Sequence, residues 1–467
     1  MTNIRTLGAL GDGCTDDSEA FRQAVEQCRT AGGGTITVPA GTYLLDPLQL
    51  CSHLRLHLEG GAVLRFTDDF SRFPIVHTRW AGFMCHCLQP CLFGDGLEDV
   101  AITGQGVVDG QGQRWWDEYR AMRGKGESDG FAYQFERELV ELNAEVDVGG
   151  AVWDEWQRMF LRPPLLQLKD CRKVLIDGVT MRNSPFWNTH LLFCEDVTVH
   201  AARFENPSDA PNGDGLDIDS SCRVRVSDCS FNVGDDCLCL KSGIDACGRA
   251  VGRATEDVVI TNCTMYRGHG GVVMGSDTAG GIRSVAISNC IFHGTDRGIR
   301  IKSRRGRGGV VEDVQVQNIV MTEVDCPLVM NLYYTCGATG DWAEVVGDPE
   351  ARPMDETTPR IRRISLCGIT VSRARLAAGS LIGLPEAPIE DISLRDVRID
   401  MVEADKPSKA AMSFQCPASS GAGFMARHVD GLSLNNVSVN VRHGPALDLQ
   451  KCCGVRNSTN GADDSSV

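Results

Sequence analysis

The chain has 467 residues, 42% apolar and 23% charged, the balance of a folded protein, and no run approaches the ~18 apolar residues of a membrane span. With 62 acidic against 46 basic residues and 6% aromatics, the net charge of −16 argues against nucleic acid or a membrane surface as partner. The 51 glycines follow no G-X-Y period, which excludes collagen and implies many turns.

The opening MTNIRTLGALGDGCTDD has no basic n-region, apolar h-region or cleavage site. A cytoplasmic protein is therefore expected, although a trimmed mature form of a secreted one would read the same. Residues of about 1–50 read as a cap. DDSEAFRQAVEQCRTAGGG places Ala20, Phe21, Ala24, Val25 and Cys28 on one helical face, Asp16 and Glu19 have capping-box spacing, and Gly32–Gly34 ends the helix. Such a helix hides the terminal unit of a repeat array. The 21 cysteines are scattered over a long chain and read as reduced small hydrophobes. Neither Cys85, Cys87 and Cys91 nor Cys237 and Cys239 has zinc spacing, so no metal or other cofactor is expected.

Between about 111 and 162, RWWDEYRAM, FAYQFERELVELNAEV and AVWDEWQRMF read as a helical insertion carrying Trp115, Trp116, Trp153 and Trp156. Thereafter one phrase recurs: a charged turn, alternating apolar residues, Asn/Asp/Cys, then apolar again. Its anchors are Val174, Val197, Val224, Val258, Val285, Val314, Ile364, Ile392 and Leu432, at spacings of 23, 27, 34, 27, 29, 50, 28 and 40. Val100 and Leu54 extend the series upstream. Period-2 alternation marks short strands, and no helical pattern separates successive phrases, which excludes βαβ units. A propeller blade needs about 40–50 residues, too long for the shortest spacings. The expected fold is all-β: a single-stranded right-handed parallel β-helix, a solenoid forming one domain over 1–452, with 453–467 a flexible tail. Asp177, Asp228, Asn262, Asn289 and Asn318 are expected to stack at a turn.

Within the ladder, PNGDGLDIDSS carries Asp214, Asp217 and Asp219, and about one coil later VGDDCLCLKSG carries Asp235 and Asp236. One coil of sequence is one rung of about 4.8 Å, so these acids would repel unless chemistry needs them together. Glycoside hydrolysis has that need, with one carboxyl protonating the leaving oxygen and another activating the attacking group. Exposed turn acids are the plain alternative. Calcium at Asp217 and Asp219 is another, weakened by the missing D-x-D-x-D-G loop. Farther on, His269 stands between glycines, and Arg300, Lys302, Arg304, Arg305 and Arg307 form a dense basic run. That run is either a solvated loop or, by alternation, a face on which Arg300 and Lys302 hold a carboxylate. Cations near acids suggest an anionic sugar.

Asn212-Gly213-Asp214, Gly234-Asp235-Asp236, Gly268-His269-Gly270 and Arg300-Ile301-Lys302 resemble the N-T-D, D-D, G-H-G and R-I-K motifs of glycoside hydrolase family 28, the polygalacturonases. The similarity runs from about Arg162 to Gly337, and more loosely over the cap; the wording is most like the bacterial exo-acting members. Gly213 departs from the usual Thr at a position that transfers no proton. The resemblance implies hydrolysis of α-1,4-linked galacturonate in oligo- or polygalacturonate, by inversion. Asp235 would be the general acid, Asp214 and Asp236 would activate water, and His269 would orient the cluster. Arg300 and Lys302 would bind the substrate carboxylate, aided by Asn212, with Trp187, Asn188, His190, Tyr333 and Tyr334 near sugar subsites. Inversion would need carboxyls about 6.5–9.5 Å apart. A rhamnogalacturonan or xylogalacturonan hydrolase, a calcium-dependent pectate lyase and a non-catalytic carbohydrate-binding β-helix remain open. The 111–162 insertion and the 337–360 stretch are expected to wall the cleft into an exo-acting pocket. Oligomeric state is not legible.

Overall fold

The repeated phrase forms stacked coils. A computed structural model describes residues 1–124, 130–148 and 154–458, and the chain divides into two compact units, Met1–Cys239 and Leu240–Val467. In the first, Ile36, Leu56, Ile102, Ile176, Val199 and Val226 stand in parallel register on successive coils, each at most 1% exposed. A second sheet stacks Gly94, Leu168, Leu191 and Ile218. In the second unit, Val258, Val285, Val314, Ile364, Ile392 and Leu432 are direct register partners and all buried. This is the parallel β-helix expected from the anchors. Each anchor hides its side chain against the rungs above and below, worth roughly 1.5–3 kcal/mol per residue.

The polar residue before each anchor from Val100 to Ile392 has a structural reason. Asp99, Lys173, Asp196 and Arg223 adopt positive φ, and the ladder skips them: Glu98 pairs with Arg172, then Val100 with Val174. Asp257, Ser284, Asp313, Arg363 and Asp391 repeat this bulge in the second unit. A side chain there points to water, so any polar residue serves.

At the next corner Asp228, Asn262, Asn289 and Asn318 have φ of 58°, 56°, 56° and 55°, and Asn318 Nδ2 donates to Asn289 Oδ1 at 3.3 Å. Asp177 does not join them. Its register partners are His200 and Ser227, one residue early, and Gly178 holds the left-handed position at φ 77°.

The cap helix α1 (Ser18–Thr30) buries Ala20, Phe21, Ala24, Val25 and Cys28. The expected capping box is absent: Glu19 bonds Arg22 and Gln23, while Asp16 accepts from Ser18 N and pairs with Arg72. The insertion contains α2 (Gln113–Met122), α3 (Gln134–Leu142) and α4 (Asp154–Arg158). Trp115 and Trp116 are buried, Trp156 partly so, and Trp153 lies outside the described residues. An antiparallel hairpin, Ile75–Trp80 with Phe83–Leu88, turns on Ala81 and Gly82, both at positive φ. Its Trp80, Cys85 and Cys87 pack with Leu139, Leu161, Phe186 and Trp187. All 21 cysteines are free thiols. The segment Arg456–Ser458, inside the stretch expected to be a tail, pairs with Ser433–Asn435; residues 459–467 lie outside the described residues.

Backbone handedness at the corner can be tested directly. Asn289→Val should lower unfolding free energy by about 1–2 kcal/mol, because a branched Cβ opposes left-handed φ, whereas Asn289→Gly should stay near the parent. Equal losses in urea melts would instead credit the amide ladder.

Candidate active site

Asp214, Asp235 and Asp236 converge in the first unit. One carboxylate oxygen from each lies within 4.8 Å of the others, the sole such acidic, His or Cys group among the described residues. Asp214 is 3% and Asp236 1% exposed, with Asp235 half-buried. Local sequence makes this approach possible. A Cβ on Gly234 would meet Pro207 O at 2.5 Å, and one on Gly215 would meet Cys237 O at 2.5 Å. A Cβ on Gly213 would sit 3.0 Å from Ala210 O, so a larger residue there requires a shift of a few tenths of an ångström. Asp214 O accepts from Asn188 N at 2.9 Å, and Asp235 Oδ1 accepts from Asp236 N at 2.9 Å. The 4.8 Å limit is between nearest oxygens, closer than the roughly 6.5–9.5 Å between carboxyl groups typical of inversion, so the stereochemistry is decided by the product and not by this distance.

The strand Leu216–Asp219 continues into a buried polar network. Arg79 Nη1, from the hairpin, donates to Asp219 Oδ1 at 2.6 Å and Ser220 Oγ at 2.8 Å. His190 lies 3.3 Å from Asp219 Oδ2 and 2.8 Å from Gln167 Nε2, whose Oε1 accepts from Thr78 at 2.7 Å. Because Gln167 can only donate from Nε2, His190 accepts at Nδ1 and donates from Nε2. Burial alone would raise the Asp219 carboxyl, but the Arg79 charge, with His190 and Ser220 as donors, holds it well below the usual carboxylate range. His190 is thus fully enclosed and orders Asp219, a different position from the sugar subsite expected of it. Trp187 is likewise 5% exposed, stacked on Phe186 and edge-on to His190. Asn212 Oδ1 is taken by Arg162 Nη2 at 2.7 Å.

In the second unit, His269 is exposed at the bend before the strand Gly270–Met274. The strand Arg297–Lys302 turns Ile299 and Ile301 to one face and Arg300 and Lys302 to the other, as alternation predicts, and both cations are buried too, at 2% and 6% exposure. The Arg300 guanidinium lies 5.7 Å, and Lys302 Nζ 5.3 Å, from the Tyr334 ring centre. The rest of the basic run is neither solvated nor part of that pair. Arg305 makes a bidentate bond to Glu386 at 2.7 and 2.9 Å and donates to the carbonyls of Val345, Asp348 and Glu350. Arg304 and Arg307 share Asp245, and burial, with the Arg307 charge, pushes Arg304 down to about 10. These arginines fasten α5 (Asp245–Val251) and the segment bearing α6 (Asp341–Gly347). Tyr333 faces Arg305, 5.4 Å from its ring, so Tyr334 is the tyrosine beside Arg300 and Lys302. Arg79, Gln167 and Glu386 were missed in the sequence because their partners lie 140, 23 and 81 residues away.

Arg79→Met should destabilise the protein by about 3–5 kcal/mol by stranding the Asp219 charge. The depressed Asp219 contributes stability that is present above the unfolded carboxylate value and lost as pH falls through the folded one. Removing Arg79 raises the folded value, so acid unfolding should begin at higher pH. An unchanged acid midpoint in circular-dichroism titration would refute this account.

Residues 141–345 match the model of glycosyl hydrolases family 28, and residues 1–73 match a model described as rhamnogalacturonase A/epimerase, pectate lyase-like. A probable polygalacturonase of Vitis vinifera is 29% identical over 86% of this chain and 74% of its own. An exopolygalacturonase from Thermotoga maritima, 29% identical, superposes with a TM-score of 0.73 over 92% of this chain and 90% of that one. The family 28 exopolygalacturonase of Yersinia enterocolitica, 20% identical, shares the fold at a TM-score of 0.76 over 99% and 79%. Four ordered motifs on a parallel β-helix, a family 28 match over residues 141–345 and these polygalacturonase relatives indicate a glycosidase.

Proposed function

We propose that this protein hydrolyses α-1,4-linked galacturonides from a chain end by a single inverting displacement. The observation that carries this reading is the convergence of Asp214, Asp235 and Asp236. Three carboxylates so close repel one another when ionised, which favours one of them carrying the proton given to the leaving oxygen. Asp235, the most exposed of the three, is the general acid for the glycosidic oxygen. Asp214 and Asp236 take the proton of the attacking water, with His269 orienting the groups. Arg300 and Lys302, whose charges stand against the face of Tyr334, bind the galacturonate carboxylate. Chain-end attack is supported by the helical insertion braced against the loop that carries Asp214, and by the exo-acting relative from Thermotoga maritima.

Product analysis on polygalacturonate tests the whole reading. A single small product, with viscosity falling slowly, is expected; early mid-sized oligomers would sink the exo assignment. Proton NMR of the first product should show the anomeric configuration opposite to the substrate's. Unsaturated products abolished by a chelator would replace hydrolysis with a lyase reaction. Asp235→Asn should fold normally and lose about 10²–10⁴-fold in kcat; a variant keeping a tenth of the parent rate would remove Asp235 from that role.

Lys302→Met should weaken uronic substrates by roughly 10–150-fold in kcat/KM, the worth of a charge-assisted contact of about 1.5–3 kcal/mol. Equal loss on a neutral analogue would make Lys302 structural.

A further inference from the structure

The helical insertion does more than border the first unit. Arg162, at its end, is completely buried, and its guanidinium gathers four acceptors from three separate segments. Nη2 donates to Glu155 Oε1 at 2.6 Å and to Asn212 Oδ1 at 2.7 Å; Nη1 donates to Pro185 O and Pro211 O, each at 2.8 Å. The Tyr119 ring of α2 lies 4.3 Å from the guanidinium carbon and Phe186 lies 5.1 Å from it, so the group has little freedom to swing. Its own carbonyl accepts from the Trp80 indole at 2.9 Å.

Two of those four acceptors belong to Pro211 and Asn212, which lead directly into Asp214. Asn212 holds φ at 54°, in the left-handed region that asparagine tolerates better than most residues with a Cβ. The insertion grips the same loop a second time. Arg120 of α2 donates to Asp209 O at 2.7 Å and to Asp209 Oδ2 at 2.8 Å. We propose that Arg162, oriented by Glu155, is a positioning residue: it fixes the left-handed turn at Asn212 and thereby sets where the Asp214 carboxylate stands relative to Asp235 and Asp236. Guanidinium is the one side chain with enough donors in a fixed fork to serve all four oxygens, and a lysine cannot replace it. The insertion therefore has a part in catalysis, independent of any role in walling the cleft. The inference rests on the assignment of Asp214 given above.

The test uses the double variant Glu155→Leu/Arg162→Met, which removes both buried charges at once so that neither is stranded. Cooperative melting close to that of the parent is expected, with kcat on a short oligogalacturonide reduced by about 10²-fold, the cost of misplacing a reacting group by about 1 Å, and KM near the parent value. Parent-like kcat in a folded double variant overturns the proposal, as does a kcat that merely tracks the folded fraction. Should the double variant not fold, Asn212→Gly removes one acceptor while still suiting positive φ, leaving the core intact; the same split of kcat from KM is expected, and a parent-like kcat is again fatal. Hydrogen exchange at the Asn212, Gly213 and Asp214 amides supplies a readout independent of activity. If the parent releases no product, the catalytic assignment falls by itself, and exchange decides: faster exchange in the variant upholds the loop-holding role, and unchanged exchange removes it.

Discussion

Everything in this molecule depends on in-register stacking of like residues between successive coils. A coil has no core of its own. Its Val, Ile or Leu anchors are buried only because equivalent residues lie about 4.8 Å above and below. Register is therefore enforced by burial, since a slip of one residue would turn every anchor toward water. That enforcement converts sequence spacing into spatial spacing, and it brings Asp214 near Asp235 and Asp236 although 20 residues separate the first two.

Spacing also explains why so much was legible in advance. The anchors Val258, Val285, Val314, Ile364, Ile392 and Leu432, chosen from alternation alone, are one another's register partners. The corner residues were legible where the amide or carboxylate advertises left-handed φ, as at Asn262 and Asn289. They were misplaced at Asp177, where the neighbouring glycine takes that conformation. Lys173, Arg223 and Arg363 gave no such signal, because a bulge that exposes its side chain selects only for polarity.

Contacts made by the elements that cover a sheet were not legible. Arg79 and Asp219 are 140 residues apart, and nothing local to either announces the pair. Composition misled at Arg304, Arg305 and Arg307: a dense basic run normally stays in water, yet here each guanidinium has a carboxylate to bury against. His190 and Trp187 lay close to the expected site in sequence, but the hairpin and insertion close over them.

The covering elements then obey a constraint of their own. On an uncovered sheet, Gln167, His190 and Asp217, which are register neighbours, would simply be solvated. Once a hairpin lies over that face, every polar group beneath it needs a partner, because an unpaired buried charge costs several kcal/mol. The hairpin brings Arg79 for Asp219, and the end of the insertion brings Arg162 for Glu155, Asn212 and two carbonyls. Covering a polar rung and supplying its counter-charge are one structural act. A covering element in this fold thereby acquires fixed hydrogen bonds to the loop leading into Asp214, so changing the covering element also changes how firmly that loop is held.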